Sequence, residues 1–490
     1  MSALLILVPI IGIIIINLPL GKFLQRLAPY FAATLFILQI GLSLVPSLPF
    51  WHTGTNLLEP FFMFSVWVDQ LSFVMFLSIG LVELCSLLVG LHFLQDQPRF
   101  NFINLLLITF IGMNAMVLSA DLFSLYIFLE VVAVASFILI AIKKDVLALE
   151  GAFKYFLLSA VASVMLLLSL ALILLFAGST AYPAVASALL GNSGNTLAKF
   201  AVGLFICGLL IKSGVVPFHA WVPDAYTAAP SYVSILLAGI ITKIAGVYAL
   251  IRLVISVFGF NPALQNSLML LGLISIFVGA LAAIPQTNFK RMLAYSSISQ
   301  IGYIILGLGC GSPLAIAGAI FHFFNHATFK ALLFTNAAAV EEQTGTSEME
   351  NLSGLGAKMP ITGTTSVIAL LSTAGIPPLS GFWSKFIIIW ALWGAQQYFY
   401  AAAALLASLL TLAYFLNMQR KLFFGKLQNG LENIKEAKPL ISFVAVLLAA
   451  IIIAVGLLFP LVLNRYILPA NPTVIAVSNL TGISHTGELK

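Results

Sequence analysis

Charge is what this sequence has least of. Only 8% of its 490 residues are Asp, Glu, Lys or Arg, against 61% that are hydrophobic, and the mean hydropathy is +1.11. So few charges cannot solvate a folded surface, which excludes a soluble globular protein. Cysteine is scarce as well. Cys85, Cys207 and Cys310 lie far apart, each inside an apolar run, with no CxxC pair and no Cys/His cluster. Iron–sulfur, haem-attachment and structural zinc sites therefore lack ligands, and no cofactor or metal is expected on this chain. The net charge of +6 would suit nucleic acid, but the cations lie in short loops between apolar runs, which is a membrane-topology pattern.

Apolar runs of about 20 residues, the length that crosses a bilayer, number fourteen: approximately 3–20, 29–50, 70–94, 102–120, 122–142, 152–177, 197–222, 231–257, 265–284, 293–311, 314–340, 360–395, 399–419 and 439–463. The first has no basic n-region and no small-residue cleavage site, so it reads as a membrane helix and not a signal peptide. With both termini outside, fourteen cations (Lys22, Arg26, Arg99, Lys143, Lys144, Lys154, Lys290, Arg291, Lys358, Arg420, Lys421, Lys426, Lys435 and Lys438) fall on the cytoplasmic side and four (Lys199, Arg252, Arg465 and Lys490) outside. That is the positive-inside bias. The connections at 178–196, 341–351 and 421–438 are too short for a soluble domain, and the tail after Asn464 is too polar to span. The expectation is an all-α polytopic membrane protein forming a single membrane domain over 1–490.

Two spans contain helix breakers in like settings, Lys212-Ser213-Gly214-Val215-Val216-Pro217-Phe218-His219-Ala220-Trp221 and Ala374-Gly375-Ile376-Pro377-Pro378-Leu379-Ser380-Gly381-Phe382-Trp383-Ser384-Lys385. Proline removes a backbone donor and frees the carbonyl four residues earlier, here those of Ser213 and Ala374. In a membrane such groups must face protein or a water-filled cavity; the alternative is a kink with a packing role. Ala152-Phe153-Lys154-Tyr155-Phe156 also resembles Thr328-Phe329-Lys330-Ala331-Leu332. Together these make spans 4–8 (101–258) a repeat of spans 9–13 (259–425), between an N-terminal part (1–100) and the last span with its tail (426–490). Five spans is an odd number, so the second copy is inverted, an architecture of transporters.

Ionisable residues inside spans are the most informative feature. Lys212, Lys243, Lys330 and Lys385 each stand near the middle of one, with Glu83 and Glu130 in others. A lysine at the bilayer centre costs roughly 2.5–3.5 kcal/mol, against a typical domain stability of about 5–15 kcal/mol. Six such groups point to an ion or proton path. Glu130 has no charged neighbour on its own helix, and Lys212 is its natural partner, as a mobile pair that couples geometry to protonation or as a static one that fixes packing. Lys243 lies among Gly239, Ala245 and Gly246, small residues expected to leave room for water. His322, His326 and Lys330 recur at i, i+4 and i+8 on one helix face, a polar line about 12 Å long. Histidine suits a proton relay; metal ligation and plain helix–helix hydrogen bonding are the alternatives. Glu83 pairs with a neighbouring subunit or sits in a polar pocket. His219 and Asp224 form an entry site or a structural cap.

The segment Lys212-Ser213-Gly214-Val215-Val216-Pro217-Phe218-His219-Ala220-Trp221-Val222-Pro223-Asp224-Ala225-Tyr226, with Arg291-Met292-Leu293-Ala294-Tyr295-Ser296-Ser297-Ile298-Ser299-Gln300 and Asn325-His326-Ala327-Thr328-Phe329-Lys330, resembles the antiporter-like subunits of respiratory complex I, Mrp-type sodium/proton antiporters and membrane-bound hydrogenases. The resemblance covers about residues 100–425. It implies fourteen helices with two inverted five-helix repeats, broken at helices 7 and 12. It also implies proton-translocating roles for Glu130, Lys212, Lys243, His322, His326, Lys330 and Lys385. One branch has a glutamate in helix 12, which Lys385 departs from, and the longest branch has a C-terminal extension that is lacking here, so the chain resembles the shorter N- or D-type subunits. The implied partners are other membrane subunits, including further antiporter-like ones. The implied ion is the proton, with sodium as an option, and the implied site is a prokaryotic cell membrane or its organellar equivalent. A redox-driven complex leads; a Mrp-type antiporter without redox coupling and a passive membrane scaffold are the alternatives.

Overall fold

The computed structural model of the chain describes residues 3–18, 22–46, 65–192 and 194–471. Among these residues the regular elements are helices, with three isolated β-bridges. In chain order they are α1 (Leu4–Ile16), α2 (Lys22–Ser43), α3 (Gln70–Phe93), α4 (Asp96–Leu118), α5 (Leu122–Ile140), α6 (Val146–Ala177), α7a (Thr196–Ser213) and α7b (Trp221–Ala228). There follow α8 (Ser231–Phe258), α9 (Pro262–Ala283), α10 (Phe289–Cys310), α11 (Pro313–Thr344), α12a (Pro360–Ala374), α12b (Ser380–Gly394), α13 (Tyr398–Leu422) and α14 (Pro439–Leu457). Eleven of them are long and apolar enough to cross a membrane, so the chain is a polytopic, all-helical membrane protein.

The other expected spans differ for identifiable reasons. Helix α1 has 13 residues, about 20 Å at 1.5 Å per residue, which is short of a hydrocarbon core of about 30 Å. Helix α11 has 32 residues, but its polar residues lower its hydropathy. The twelfth span is two helices of 15 residues each. Three connections are shorter than expected: Tyr182–Gly191 is helical, α11 continues through Glu341 and Glu342 to Thr344, and α13 continues to Leu422. The expected tail beyond residue 471, with Lys490, lies outside the described residues.

The scarce acids and amides start helices. Asp69 accepts from Ser72 N, Asp121 from Ser124 N, Asp145 from Ala148 N and Asn288 from Arg291 N. Each such cap contributes about 1 kcal/mol. Two helices lie innermost. The membrane window of α8 is buried throughout, and every α11 residue from Ala315 to Val340 is buried. Helix α6, by contrast, exposes Phe153, Val164 and Leu175 on its outer side.

Between α9 and α10 the backbones touch. A Cβ at Gly279 would lie 2.5 Å from Ser299 N, and one at Gly302 would lie 2.6 Å from Gly272 O. With little hydrophobic force between helices in lipid, small residues that admit close van der Waals contact hold such pairs together.

Candidate functional site

The two proline breaks have one design. Helix α7a ends at Ser213 and α12a at Ala374, each capped by a left-handed glycine, Gly214 (φ +67°) and Gly375 (φ +86°). Glycine is needed there because a Cβ disfavours positive φ. The peptides Val216–Pro217 and Pro377–Pro378 are cis. The prolines are expected to free the carbonyls of Ser213 and Ala374. Side chains instead reach one or two residues earlier, because the glycine caps turn the chain before the proline. Trp221 Nε1 donates to Ile211 O at 3.1 Å, and Lys385 Nζ donates to Thr373 O at 2.7 Å. The unwound strand after α7a is tied to α9 by Val216 N donating to Ser275 Oγ at 3.1 Å.

Around the first break, Lys212 Nζ lies 3.1 Å from Glu130 Oε1 and donates to Ser159 Oγ at 2.6 Å. Ser163 Oγ donates to the same Glu130 oxygen at 2.6 Å. The expected Glu130–Lys212 pair is therefore present. It is asymmetric: the Lys212 side chain is 1% exposed and that of Glu130 is 28% exposed. Ser159 and Ser163 were missed, although their i, i+4 spacing on α6 puts both hydroxyls on one face.

Lys243 lies in a stretch where α8 widens to π-helical geometry, at Leu237–Ile241 and Lys243–Tyr248. Such turns are rare and frequently mark functional sites. Their loosened carbonyls take side-chain donors: Thr242 Oγ1 bonds Leu237 O at 2.7 Å, and the Lys243 ammonium bonds Ala238 O. The expectation that glycines leave room for water here is overturned. A Cβ at Gly239 would lie 2.5 Å from the Val82 side chain, and one at Gly246 would lie 2.2 Å from Ser213 Oγ. The glycines admit neighbouring helices, α3 and the end of α7a.

The second break gathers the remaining residues. His322 Nδ1 is 2.9 Å from Ser384 Oγ, and Asn325 Nδ2 donates to Ser380 O at 2.9 Å, so α11 reads both turns of α12b next to the break. The His322 and His326 rings stack at 6.3 Å with planes 12° apart. Lys385 Nζ lies 4.4 Å from the centre of the Tyr303 ring. Lys330 turns to α10, donating to Leu293 O at 2.9 Å and to Ser296 Oγ. The π-helical turn Leu237–Ile241, just before Lys243, packs against α11, and the Tyr303 ring beneath Lys385 lies 5.8 Å from that of His322. Among the described residues no group of three or more His, Cys, Asp or Glu is placed to hold a metal.

The site residues thus form two groups, Glu130 with Lys212, and Lys243 with His322, His326, Lys330 and Lys385. The Ser213–Gly246 contact joins them. Several buried polar atoms here have no protein partner among the described residues: both ring nitrogens of His326, His322 Nε2, Asn325 Oδ1 and Ser299 Oγ. An unpartnered buried polar group costs about 1–3 kcal/mol, which makes this the region of the bundle best suited to bound water.

Other sequence candidates fall elsewhere. Glu83 is fully buried and accepts from Thr109 Oγ1 at 3.0 Å, so it occupies an internal pocket and faces no neighbouring subunit. Arg252, counted among the outer-side cations, is buried in α8, with its guanidinium on both oxygens of Asp69. Burial pushes the Asp69 carboxyl up, and Arg252 outweighs it, holding the group below the usual carboxylate value. Asp224 is held by Lys154 Nζ at 2.7 Å and Arg291 Nη1 at 2.6 Å. Burial raises it, and these two cations more than offset that, so its pKa is lowered. Lys154, the repeat counterpart of Lys330, is therefore a half-exposed ion-pair partner, whereas Lys330 is wholly buried.

Residues 119–411 match the family described as NADH:quinone oxidoreductase/Mrp antiporter, TM, and the chain belongs to it. It is 32% identical to the D-type subunit of the Na(+)/H(+) antiporter of Alkalihalophilus pseudofirmus, over 91% of this chain and 92% of that one. It is 33% identical to the N-type subunit of the NADH-quinone oxidoreductase of Erythrobacter litoralis, over 71% and 72%. Among solved structures, a chain of the membrane-bound sulfane sulfur reductase, an archaeal respiratory membrane complex, superposes with a TM-score of 0.87 at 27% identity, covering 98% of this chain and 99% of that one.

Proposed function

We propose that this chain is an antiporter-like membrane subunit that conducts protons within a larger complex, working alongside other membrane subunits. The observation that carries the reading is the buried Lys212 ammonium, 3.1 Å from Glu130 at the mouth of a broken helix and continued by further ionisable groups inside the bundle. Lys212 and Glu130 form a pair whose charge follows its separation. Lys243, His322, His326 and Lys330 carry protons through the interior, and Lys385 is the terminal site of the second half. On this reading residues 101–258 and 259–425 are the two inverted units of one membrane domain, both termini lie on the outer side, and the chain itself binds no cofactor.

Two parent assemblies fit. A redox-driven complex is supported by the likeness to N-type chains of NADH-quinone oxidoreductases and to the respiratory membrane complex. A Mrp-type sodium/proton antiporter is supported by the relative that aligns along nine-tenths of the chain. Proton movement by the purified complex in liposomes, driven by electron transfer in one trial and by a sodium gradient in another, separates them. Lys212→Ala abolishes that movement with assembly intact. If Lys212→Ala and Glu130→Ala complexes move protons as the unmodified complex does, the chain is a passive scaffold and the reading fails.

A further inference from the structure

At the lysine-rich end of the bundle a cavity of about 530 Å³ opens between the ends of α3, α5 and α11 and the starts of α8 and α10. Its polar wall includes Lys143, Ser231, Asn288, Glu341, Ser347 and Glu348. Glu341 stands at its inner side, accepting hydrogen bonds from Ser231 and Ser347, with the ammonium of buried Lys290 at 3.3 Å. Lys290 also donates to Ala229 O at 2.7 Å, so it spans from the cavity wall to the C-terminal end of α7b.

We infer that this cavity is the port through which protons enter the relay, with Glu341 as the collecting carboxylate and Lys290 as its gate; the inference rests on the proton-conducting reading above. Three observations converge on it. Lys290 is on the first turn of α10, and the acceptors of Lys330, Leu293 O and Ser296 Oγ, are three and six residues further along the same helix. The two lysines therefore meet one helix one to two turns apart. Along α11, Glu341 is eleven residues beyond Lys330, about 16 Å. At the first break Asp224 is held by two cations, Lys154 and Arg291, whereas Glu341 pairs with one.

A proton taken from cavity water onto Glu341 neutralises the carboxylate, and the Lys290 ammonium loses its counter-charge and releases it. The proton then passes inward through water and the Ser296 hydroxyl to a Lys330 that has given its own proton towards His326. Glu341 returns to the carboxylate and recaptures Lys290, which closes the port. The other charged groups facing Glu341 are Lys143 and Glu348 across the cavity; neighbouring Glu342 is taken up by His92 at 2.6 Å.

The test uses the whole complex in liposomes, with proton movement per turnover as the readout and assembly checked separately. Glu341→Gln slows proton movement roughly tenfold or more, and Glu341→Asp restores most of it. The charge-swapped pair Glu341→Lys with Lys290→Glu keeps an ion pair but moves the carboxylate away from the cavity wall, and it stays slow. Wild-type rates in Glu341→Gln, or full rescue by the swap, overturn the port. Lys212→Ala run in parallel separates the two failures. If Lys212→Ala is inactive while Glu341→Gln is normal, only the port falls; if both are normal, the proton-conducting reading falls with it.

Discussion

The Lys385 ammonium and the Thr373 carbonyl, 2.7 Å apart, close the break in the twelfth span on itself. The lysine of α12b reaches back across the proline turn to the negative end of α12a, where last-turn carbonyls attract a cation. The same ammonium lies over the Tyr303 ring. It is thus held by a helix dipole and a ring face, and no carboxylate among the described residues forms an ion pair with it.

That arrangement makes Lys385→Arg informative. Arginine retains the charge and the attraction to carbonyl and ring but hardly ever releases a proton. The expected outcome is normal assembly with impaired proton movement per turnover in the reconstituted complex. Wild-type movement would show that Lys385 supplies fixed charge only.

At the first break the pair is conventional and its partners are unequal. Glu130→Gln leaves the buried Lys212 ammonium with neutral acceptors and no counter-charge. Losing one member of a buried pair costs about 3–5 kcal/mol. The partial exposure of Glu130 reduces this to roughly 1–3 kcal/mol, and Lys212→Met in the same chain should recover much of it. Thermal unfolding of the detergent-solubilised complex, compared across both single variants and the double one, measures that coupling; a purely additive result means that the two side chains do not interact.

Asp224 carries a pH dependence whose sign follows from its environment. Its folded pKa is below the ordinary value because Lys154 and Arg291 together outweigh burial. A carboxylate of this kind contributes stability above its unfolded pKa, near 3.9, and the contribution fades as pH falls through the folded value. Asp224→Asn therefore destabilises at neutral pH, and the deficit relative to the unmodified protein narrows below about pH 4. A deficit that is constant across the acid range would mean that Asp224 acts through packing.

How much of the fold and site can be read from the sequence depends on the kind of interaction. The Glu130–Lys212 pair and both breaks are directly legible, because a charge or a proline inside an apolar run has no cheap alternative explanation. The His322–His326–Lys330 stripe is legible too, since helical periodicity puts the three on one face. What escapes depends on contacts between distant segments. The π-helical widening around Lys243 leaves no mark on an apolar pattern. Gly239 and Gly246 resemble space in a sequence and are filled by α3 and α7a. Arg252 reads only as an outer-side cation because its partner Asp69 lies 183 residues away. Lys154 and Lys330 share a motif, yet one meets Asp224 at the surface and the other meets α10 in the interior.

His326 offers a case in which stability and function should part. Among the described residues neither ring nitrogen has a protein partner although the residue is fully buried, so the side chain adds an unsatisfied polar group to the core. Replacing such a group with an apolar side chain of similar bulk is often neutral or stabilising. His326→Leu is therefore expected to assemble and to unfold at a temperature equal to or above that of the unmodified complex. A packing histidine would leave transport unchanged under that substitution. A relay histidine standing between Lys330 and Lys385 would not, because leucine can neither accept nor release a proton, and movement per turnover should fall roughly tenfold or more. Normal proton movement in a stable His326→Leu complex would remove His326 from the path, leaving the flanking lysines to exchange protons through water alone.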